Sequence, residues 1–326
     1  MQVEKVKRLG ARQLSEVMAL VEEATRVDDV APLSEQGLLA ARVSLPEGAA
    51  VPSGASAPHF LAYDGSRLAG YAHLERGPGA EIAGDATAEL VVDPGHRRRG
   101  VGTALIQALE AALGSGNMHV WSHGHLDAAR DFAARDGFSN VRELWMMSRS
   151  LQTDAGPLPH IDLPEGFATR HFVVGQDEDT WLSVNTRAFA SHPEQGRITR
   201  LDLNARIAQP WFDATGFILI EDTRGATPVL AASHWTKVAQ AGDKKGRTTR
   251  GEVYVVGVDP AYQGLGLGRA VTVLGLEHLL EDGLTEAFLY VNADNSAAVR
   301  TYSRLGFTRS AVEVMYFRLV HPPVPR

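Results

Sequence analysis

The chain has 326 residues, 44% hydrophobic, 22% charged and none of them cysteine, with a formal net charge of -7. The absent thiols exclude disulfides, thiolate nucleophiles and cysteine-ligated metals, and the acidic balance leaves no overall basic field for nucleic acid or anionic lipid. The length suits two domains of about 150 residues better than one core.

The opening stretch MQVEKVKRLGARQL lacks the apolar core of a signal peptide, and no apolar run approaches 18 residues, so a cytoplasmic chain is expected. ARQLSEVMALVEEA reads as an amphipathic helix, and HFLAYDGSRLAGYAHLE as strands. A strand, a glycine turn and an apolar helix follow in LVVDPGHRRRGVGTAL (90–105), which holds the basic run His96 to Arg99. His119, His123 and His125 lie in HVWSHGHLD with no neighbouring carboxylate cluster to complete a metal site, so a structural role is expected for them and no metal.

SLQTDAGPLPHIDLPEG (150–166) is rich in proline, glycine and acid, and reads as a join. A second helix (DEDTWLSVNTRAFA) and further strands (GFILIEDTRGATPVLAASHWTKV) come next, with Trp181, Phe189, Trp211 and Trp235 expected in the core. AGDKKGRTTRG (241–251) is expected to be a mobile, solvated loop. A strand, a glycine turn and the helix GRAVTVLGLEHLLEDG, ended by Gly283, lead to the strand AFLYVN and the helix SAAVRTYSRLG. The class is mixed α/β.

The same unit is written twice. LVVDPGHRRRGVGTAL aligns without gaps on VGVDPAYQGLGLGRAV (256–271), and RDGF (135–138) echoes RLGF (304–307). Three readings of the glycine turn compete. A Walker loop needs a lysine and Ser/Thr after its last glycine, where Arg269-Ala270 stand, and a dinucleotide fingerprint needs G-x-G-x-x-G early in its domain. The third is a pyrophosphate cradle of backbone amides at a helix N-terminus, with tight helix–strand packing as its bland rival.

The arrangement resembles the acetyl-CoA signature Q/R-x-x-G-x-G/A of the GCN5-related N-acetyltransferases (GNAT), which QGLGLG (263–268) and RRRGVG (97–102) both satisfy. NSAAVRTYSRLGF (295–307) is similar to that family's closing segment. The resemblance implies two tandem GNAT domains, each a mixed, centrally splayed β-sheet flanked by helices. The N-terminal domain would span 1–150, a linker 151–165, and a catalytic C-terminal domain 166–326.

It also implies acetyl-CoA as co-substrate. In the first half, Leu90, Val91, Val92, Arg98, Arg99, Gly100, Val101, Gly102 and Thr103 would hold it. In the second half the holders would be Val256, Gly257, Val258, Gln263, Gly264, Leu265, Gly266, Leu267, Gly268 and Arg269. Asn295, Ser296, Ala297, Ala298, Val299 and Arg300 would join them from the closing segment. The family's tyrosine acid falls on Tyr302, and its splayed strand lets the Val256 N–H polarise the thioester carbonyl.

VAPLSEQ (30–36), AFASHPEQG (188–196), HWTK (234–237), GEVYVVGVDP (251–260) and LYVNADNSAAVRTYSRLGF (289–307) resemble more closely one actinobacterial group within that family. That likeness implies acetylation of the cysteinyl amine of 1D-myo-inositol 2-(L-cysteinylamino)-2-deoxy-glucopyranoside, a cysteinyl-glucosaminyl-inositol. It places acceptor ligands at Glu35, Glu194, Lys237, Glu252 and Tyr290, with Glu35 coming from the first half. A monomer with a small-molecule amine partner is expected, without nucleic acid or membrane. Acetylation of another small-molecule or peptide amine is the nearest alternative, and a non-catalytic acyl-CoA sensor is the other.

The repeat bears on which half works. At an offset of 166, Ala86 and Ala88 stand where the second half has Glu252 and Tyr254, and at 169 Ala133 stands for Tyr302. Asn295 maps onto Leu126, or onto Asp127 with one slip. The first half is therefore expected to keep the cofactor turn and to lack catalysis. An amine with a pKa of roughly 7.7–8.0 is mostly ammonium near neutrality and needs a base, for which Glu252 is the candidate. Tyr302, near 10 in its ordinary state, would assist departure of a thiol near 8.5.

Overall fold

The computed structural model describes residues 1–42, 58–76, 85–152, 156–190, 195–238 and 250–322. The chain forms two compact units, Met1–Leu144 with Ala311–Arg326, and Trp145–Ser310. Among the described residues no helix is long and apolar enough to cross a membrane.

In the first unit the order is β1 (Gln2–Val6), α1 (Ala11–Asp28), α2 (Glu35–Arg42), β2 (His59–Asp64), β3 (Arg67–Arg76) and β4 (Ala86–Val92). Then come α3 (Val101–Leu113), β5 (Gly116–Ser122) and α4 (Asp127–Arg135). Helix α1 buries Val17, Leu20 and Ala24, one apolar stripe at helical spacing. It stops where Asp29 turns left-handed (φ 56) and donates its N–H to Thr25 O. Helix α3 buries Leu105, Ile106 and Leu109 in the same core as Phe60, Leu74 and Ala88.

The chain leaves along β6 (Ser139–Ser150). The second unit then has β7 (Phe167–His171), α5 (Glu178–Ala188), α6 (Arg200–Ile207), β8 (Phe217–Asp222), β9 (Val229–Lys237) and β10 (Arg250–Val258). It continues with α7 (Leu267–Glu281), β11 (Glu286–Asn292), α8 (Ser296–Arg304) and the start of β12 (Thr308–Val320). Its core is built on Trp181 and Trp235, both fully buried, with the Phe217 ring stacked 4.6 Å from Trp235. Phe189 and Trp211 pack at the edge of this cluster. Residues 241–249 of the expected loop lie outside the described residues, and Arg250 and Gly251 already belong to β10.

Strand order is β1-β2-β3-β4-β5-β12 in the first unit and β6-β11-β10-β9-β8-β7 in the second. The division therefore differs from a simple cut at 151–165. The strand that follows α4 runs on into the second unit, where Leu151 N–H bonds to Thr285 O. The place beside β5 is taken by β12, the last strand of the chain, which pairs antiparallel from Val314 opposite Ser122 to Val320 opposite Gly116. A strand at the open side of β5 needs a partner for its backbone groups, and repeat-equivalent strands meet that need interchangeably.

Both units have the central splay. Parallel β4 and β5 are in register only at Ala86–Met118, Thr87–His119 and Ala88–Val120, although β4 runs on to Val92 and β5 to Ser122. Parallel β10 and β11 are in register only at Arg250–Glu286, Gly251–Ala287 and Glu252–Phe288, while they continue to Val258 and Asn292. Beyond these pairs the strands part, leaving unpaired edges at the head of a wedge.

Candidate active site

Each wedge is closed by the same turn. After β10, Asp259 Oδ1 accepts the Ala261 N–H at 2.9 Å and fixes a short 3-10 turn, Pro260–Tyr262. Gly264 (φ +83) and Gly266 (φ +80) then bring the chain into α7, which starts at Leu267. A left-handed backbone suits glycine, and a residue without Cβ leaves the first-turn amides open to an anion. After β4 the matching steps are Asp93 Oδ1 to Gly95 N–H at 2.8 Å, the turn Pro94–His96, and Gly100 at φ +84. Arg98, at the position of Gly264, takes the same left-handed conformation (φ 63) although it carries a side chain.

Glu252 is the last residue of β10 in register with β11, so it stands where the wedge opens. Across the sheet it pairs with Lys237, whose Nζ lies 3.8 Å from Glu252 Oε2, both side chains being mostly buried. The Lys237 ammonium also lies 4.9 Å from the ring centres of both Trp211 and Tyr254. Arg206 Nε donates to the Tyr254 hydroxyl at 2.8 Å. Trp211, Tyr254 and Arg206 thus hold a cation beside a carboxylate, a cage that spacing in the sequence did not reveal. Trp235, expected in the core, is fully buried there, with its ring centre 5.7 Å from that of Trp211.

Tyr302 lies in α8, partly buried against Phe307 with ring centres 5.9 Å apart. Burial pushes its phenol up to about 12. Asn295 spends its side chain on capping α8, its Oδ1 accepting the Ala298 N–H at 3.1 Å. Ser296 to Arg300 form the first turn of that helix. Tyr290 sits on β11 with 41% of its surface exposed, and Glu35 opens α2. Glu194 lies outside the described residues.

Register corrects one mapping between the halves. The β3–β4 ladder is regular from Gly70–Val92 to Arg76–Ala86. The β9–β10 ladder instead shifts between Val253 and Val255, so Tyr254 is an extra, bulged residue. Below the bulge the offset is one smaller, and the counterpart of Glu252 is Thr87 rather than Ala86. Thr87 pairs with His119 as Glu252 pairs with Phe288. The other mappings stand on matching bonds: Phe138 N–H to Ala133 O mirrors Phe307 N–H to Tyr302 O, and Arg130 N–H to Leu126 O mirrors Val299 N–H to Asn295 O.

The first unit has a cleft of about 360 Å³ at its wedge. Of the first-half residues expected to hold the cofactor, Leu90, Val91, Val92, Arg98, Gly100, Val101, Gly102 and Thr103 all line it; Arg99 does not. Arg97 lines it too, but is held by Asp28 through bonds of 2.7 and 2.6 Å. Where α8 has Tyr302, Ala133 packs with Tyr316 of β12, which also lines the cleft.

The first unit has titratable groups of its own at the wedge. Buried Glu89 on β4 accepts from Ser34 N–H at 3.0 Å and bonds His123 Nε2 at 3.3 Å. His123 Nδ1 lies 3.2 Å from Glu313 of β12. Burial alone would lower His123, but its bonds to Glu313 and Glu89 outweigh that and hold it at about 10, an imidazolium between two carboxylates. Burial opposes the Glu89 charge, yet the bond from His123 keeps it below the usual carboxylate range. Neither group is free to act as a base. Among the described residues one group spaced to hold a cation lies elsewhere, at Asp213, His278 and Asp282. Asp213 there already accepts both the backbone N–H and the hydroxyl of Thr215.

Known proteins share these features. The acetyltransferase (GNAT) family model matches residues 188–307, and an acetyltransferase (GNAT) domain model matches 55–140. A tandem GNAT protein from the clavulanic acid biosynthesis pathway has the same fold, with a TM-score of 0.71 at 18% identity over 99% of this chain and 100% of its own. A GCN5-related N-acetyltransferase from Sphaerobacter thermophilus gives 0.65 at 20% identity over 99% and 97%. Fold, wedges and paired glycine turns define a tandem N-acetyltransferase of the GNAT class.

Closer relatives narrow the class. A mycothiol acetyltransferase of Thermobispora bispora is 50% identical over 93% of this chain and 95% of its own, and one of Geodermatophilus obscurus is 48% identical over 97% of each. The chain belongs to the mycothiol acetyltransferase family.

Proposed function

We propose that the chain transfers the acetyl group of acetyl-CoA to the cysteinyl amine of cysteinyl-glucosaminyl-inositol, the acetylation that completes mycothiol, with Glu252 and Tyr302 carrying the reaction. The observation that supports this most is the place of Glu252. It is the last in-register residue before β10 and β11 part, on the strand that ends in the glycine turn.

The steps follow from the chemistry of amine and thioester. Glu252 takes a proton from the ammonium, directly or through one water, and frees the nitrogen lone pair. The nitrogen adds to the thioester carbon while the Val256 N–H donates to the carbonyl oxygen, on which charge develops. Collapse re-forms the carbonyl and breaks the C–S bond, and the second proton of the acylated nitrogen passes to water, which leaves the neutral amide. With Tyr302 near 12 and a thiol near 8.5, complete proton transfer to sulfur is uphill by about 5 kcal/mol. Tyr302 therefore serves as a hydrogen-bond donor to the departing sulfur, and CoA takes its proton on reaching water.

The turn at Gln263 to Arg269 and the first turn of α8 bind the CoA phosphates and pantetheine in this reading. Glu194, Lys237 and Tyr290 join Glu252 as acceptor ligands, carboxylates suiting an ammonium and many hydroxyls. The first-unit cleft holds acetyl-CoA without turning it over, because Ala133 replaces the tyrosine and the Glu89–His123 pair is locked. The enzyme works as a cytoplasmic monomer on a small molecule.

An acceptor panel read by mass spectrometry tests the proposal. Cysteinyl-glucosaminyl-inositol is expected to gain one acetyl group far faster than glucosaminyl-inositol, an aminoglycoside or a peptide amine. Faster acetylation of any other member would overturn the acceptor assignment, and acetyl-CoA binding without turnover would favour a sensor.

A further inference from the structure

Met146 and Arg149 in β6 match Met315 and Arg318 in β12 at an offset of 169, the one that also relates Ala133 to Tyr302. Each arginine makes the same bond in the unit that its strand enters. Arg318 Nη1 donates to Asp136 O at 3.0 Å, and Arg149 Nη1 donates to Leu305 O. Asp136 and Leu305 are again 169 residues apart, and each caps the C-terminus of its helix, α4 or α8.

The two helix ends are otherwise built alike. Gly306 turns left-handed (φ +85) and donates its N–H to Ser303 O, while the Phe307 N–H donates to Tyr302 O at 3.0 Å. Gly137 (φ +74) and Phe138 make the same bonds to Ala134 and Ala133. That pattern closes the helix but not the carbonyl of its capping residue, which the arginine takes. The arginines differ in their surroundings. Arg318 also pairs with Glu110, Nε to Oε1 at 3.1 Å. Arg149 is 7% exposed and, among the described residues, meets no carboxylate; its remaining bonds go to the carbonyls of Ser150 and Gly156. A buried cation without an anion is costly to keep, and the negative end of a helix dipole is a place that suits it.

Tyr302 lies in the last turn of α8, three residues before Leu305, and its ring packs on Phe307. Among the described residues no group bonds its hydroxyl, and burial alone shifts its ionisation. The helix end and the Phe307 contact therefore set where that oxygen lies. We infer that Arg149 is a positioning residue: by holding the Leu305 carbonyl it fixes the last turn of α8, and with it the Tyr302 hydroxyl, in the place from which it meets the departing sulfur. The inference rests on the reading of Tyr302 as hydrogen-bond donor to that sulfur. The matching bond in the first unit holds a helix that carries Ala133 in place of the tyrosine, so Arg318 supports α4 without acting on the reaction. The repeat thus supplies its own control.

A double-mutant cycle tests it, read by single-turnover acetylation of cysteinyl-glucosaminyl-inositol with the full chain. Arg149→Met should slow transfer about 10- to 100-fold, the effect of a misplacement of about 1 Å, and no more than Tyr302→Phe does. In the Tyr302→Phe background the same substitution should change the rate less than about twofold, because the hydroxyl it positions is gone. Arg318→Met should react within about twofold of wild type. Additive losses in the cycle would overturn the inference, since a general loosening slows both backgrounds alike. Equal slowing in Arg149→Met and Arg318→Met would overturn it too. If Tyr302→Phe reacts at the wild-type rate, the reading of Tyr302 falls and the inference with it. A slowed Tyr302→Phe beside an unaffected Arg149→Met overturns the positioning role alone. Should Arg149→Met not fold, Arg149→Gln, which keeps a polar group but loses the charge, enters the same cycle, and an unchanged rate there overturns the role.

Discussion

Removing the hydroxyl of Tyr302 isolates its part in the chemistry. In Tyr302→Phe the ring keeps its packing against Phe307, so the loss falls on the bond to sulfur. Because the phenol sits near 12, it cannot act as a strong acid toward a thiol near 8.5, and its contribution is that of a hydrogen bond to developing charge. Such bonds contribute about 1.5–3 kcal/mol, which is about 10- to 150-fold in kcat. That lies at or below the low end of the roughly 100- to 10,000-fold range of true general-acid catalysis. The assay follows loss of the thioester together with the mass of the product, since the acceptor carries its own thiol and would react with thiol reagents. KM for both substrates should hardly move. A kcat within twofold of wild type would refute the role, and a loss above about a thousandfold would show that full proton transfer is required.

Three further perturbations probe other parts of the account. Lys237→Met keeps the aliphatic stem over Trp211 and Tyr254 but removes the charge beside Glu252, and should lower kcat/KM for the acceptor about 10- to 100-fold; unchanged kinetics would remove Lys237 from the site. His123, raised from its ordinary 6.5 to about 10, contributes stability that is complete below about pH 6.5 and lost as pH rises through 10, at most about 5 kcal/mol. Thermal unfolding of wild type and His123→Asn should therefore converge between pH 7 and about 10.5, and a constant gap would contradict the imidazolium assignment. Direct attack by nitrogen requires that an S-methylated acceptor still be acetylated; if it is inert, the acetyl group passes first through the acceptor sulfur.

Much of this architecture was legible because duplication wrote it twice. The pairs Asp93/Asp259 and Gly100/Gly266 marked a strand, a turn and a helix start, and the turns have the same hydrogen bonds and the same left-handed glycines. Three features were not legible, each for a physical reason. The bulge at Tyr254 adds one residue upstream of the gap-free alignment, so nothing near the glycines betrays it. The exchange of β6 and β12 leaves no local signature, since strands with equivalent patterns fill equivalent places. Glu89 reads as a solvated charge, because its partners lie 55 residues away at Ser34 and 34 away at His123. Arg98 adopted the strained conformation of its glycine counterpart because the surrounding turn dictates it.

The central claim is that acetyl transfer belongs to the second unit, and the most direct measurement compares Glu252→Gln with Thr87→Ala, its register counterpart in the first. Single-turnover acetylation of cysteinyl-glucosaminyl-inositol should slow at least a hundredfold in Glu252→Gln and remain at the wild-type rate in Thr87→Ala. Equal rates in the two variants, or a slowing confined to Thr87→Ala, would contradict it.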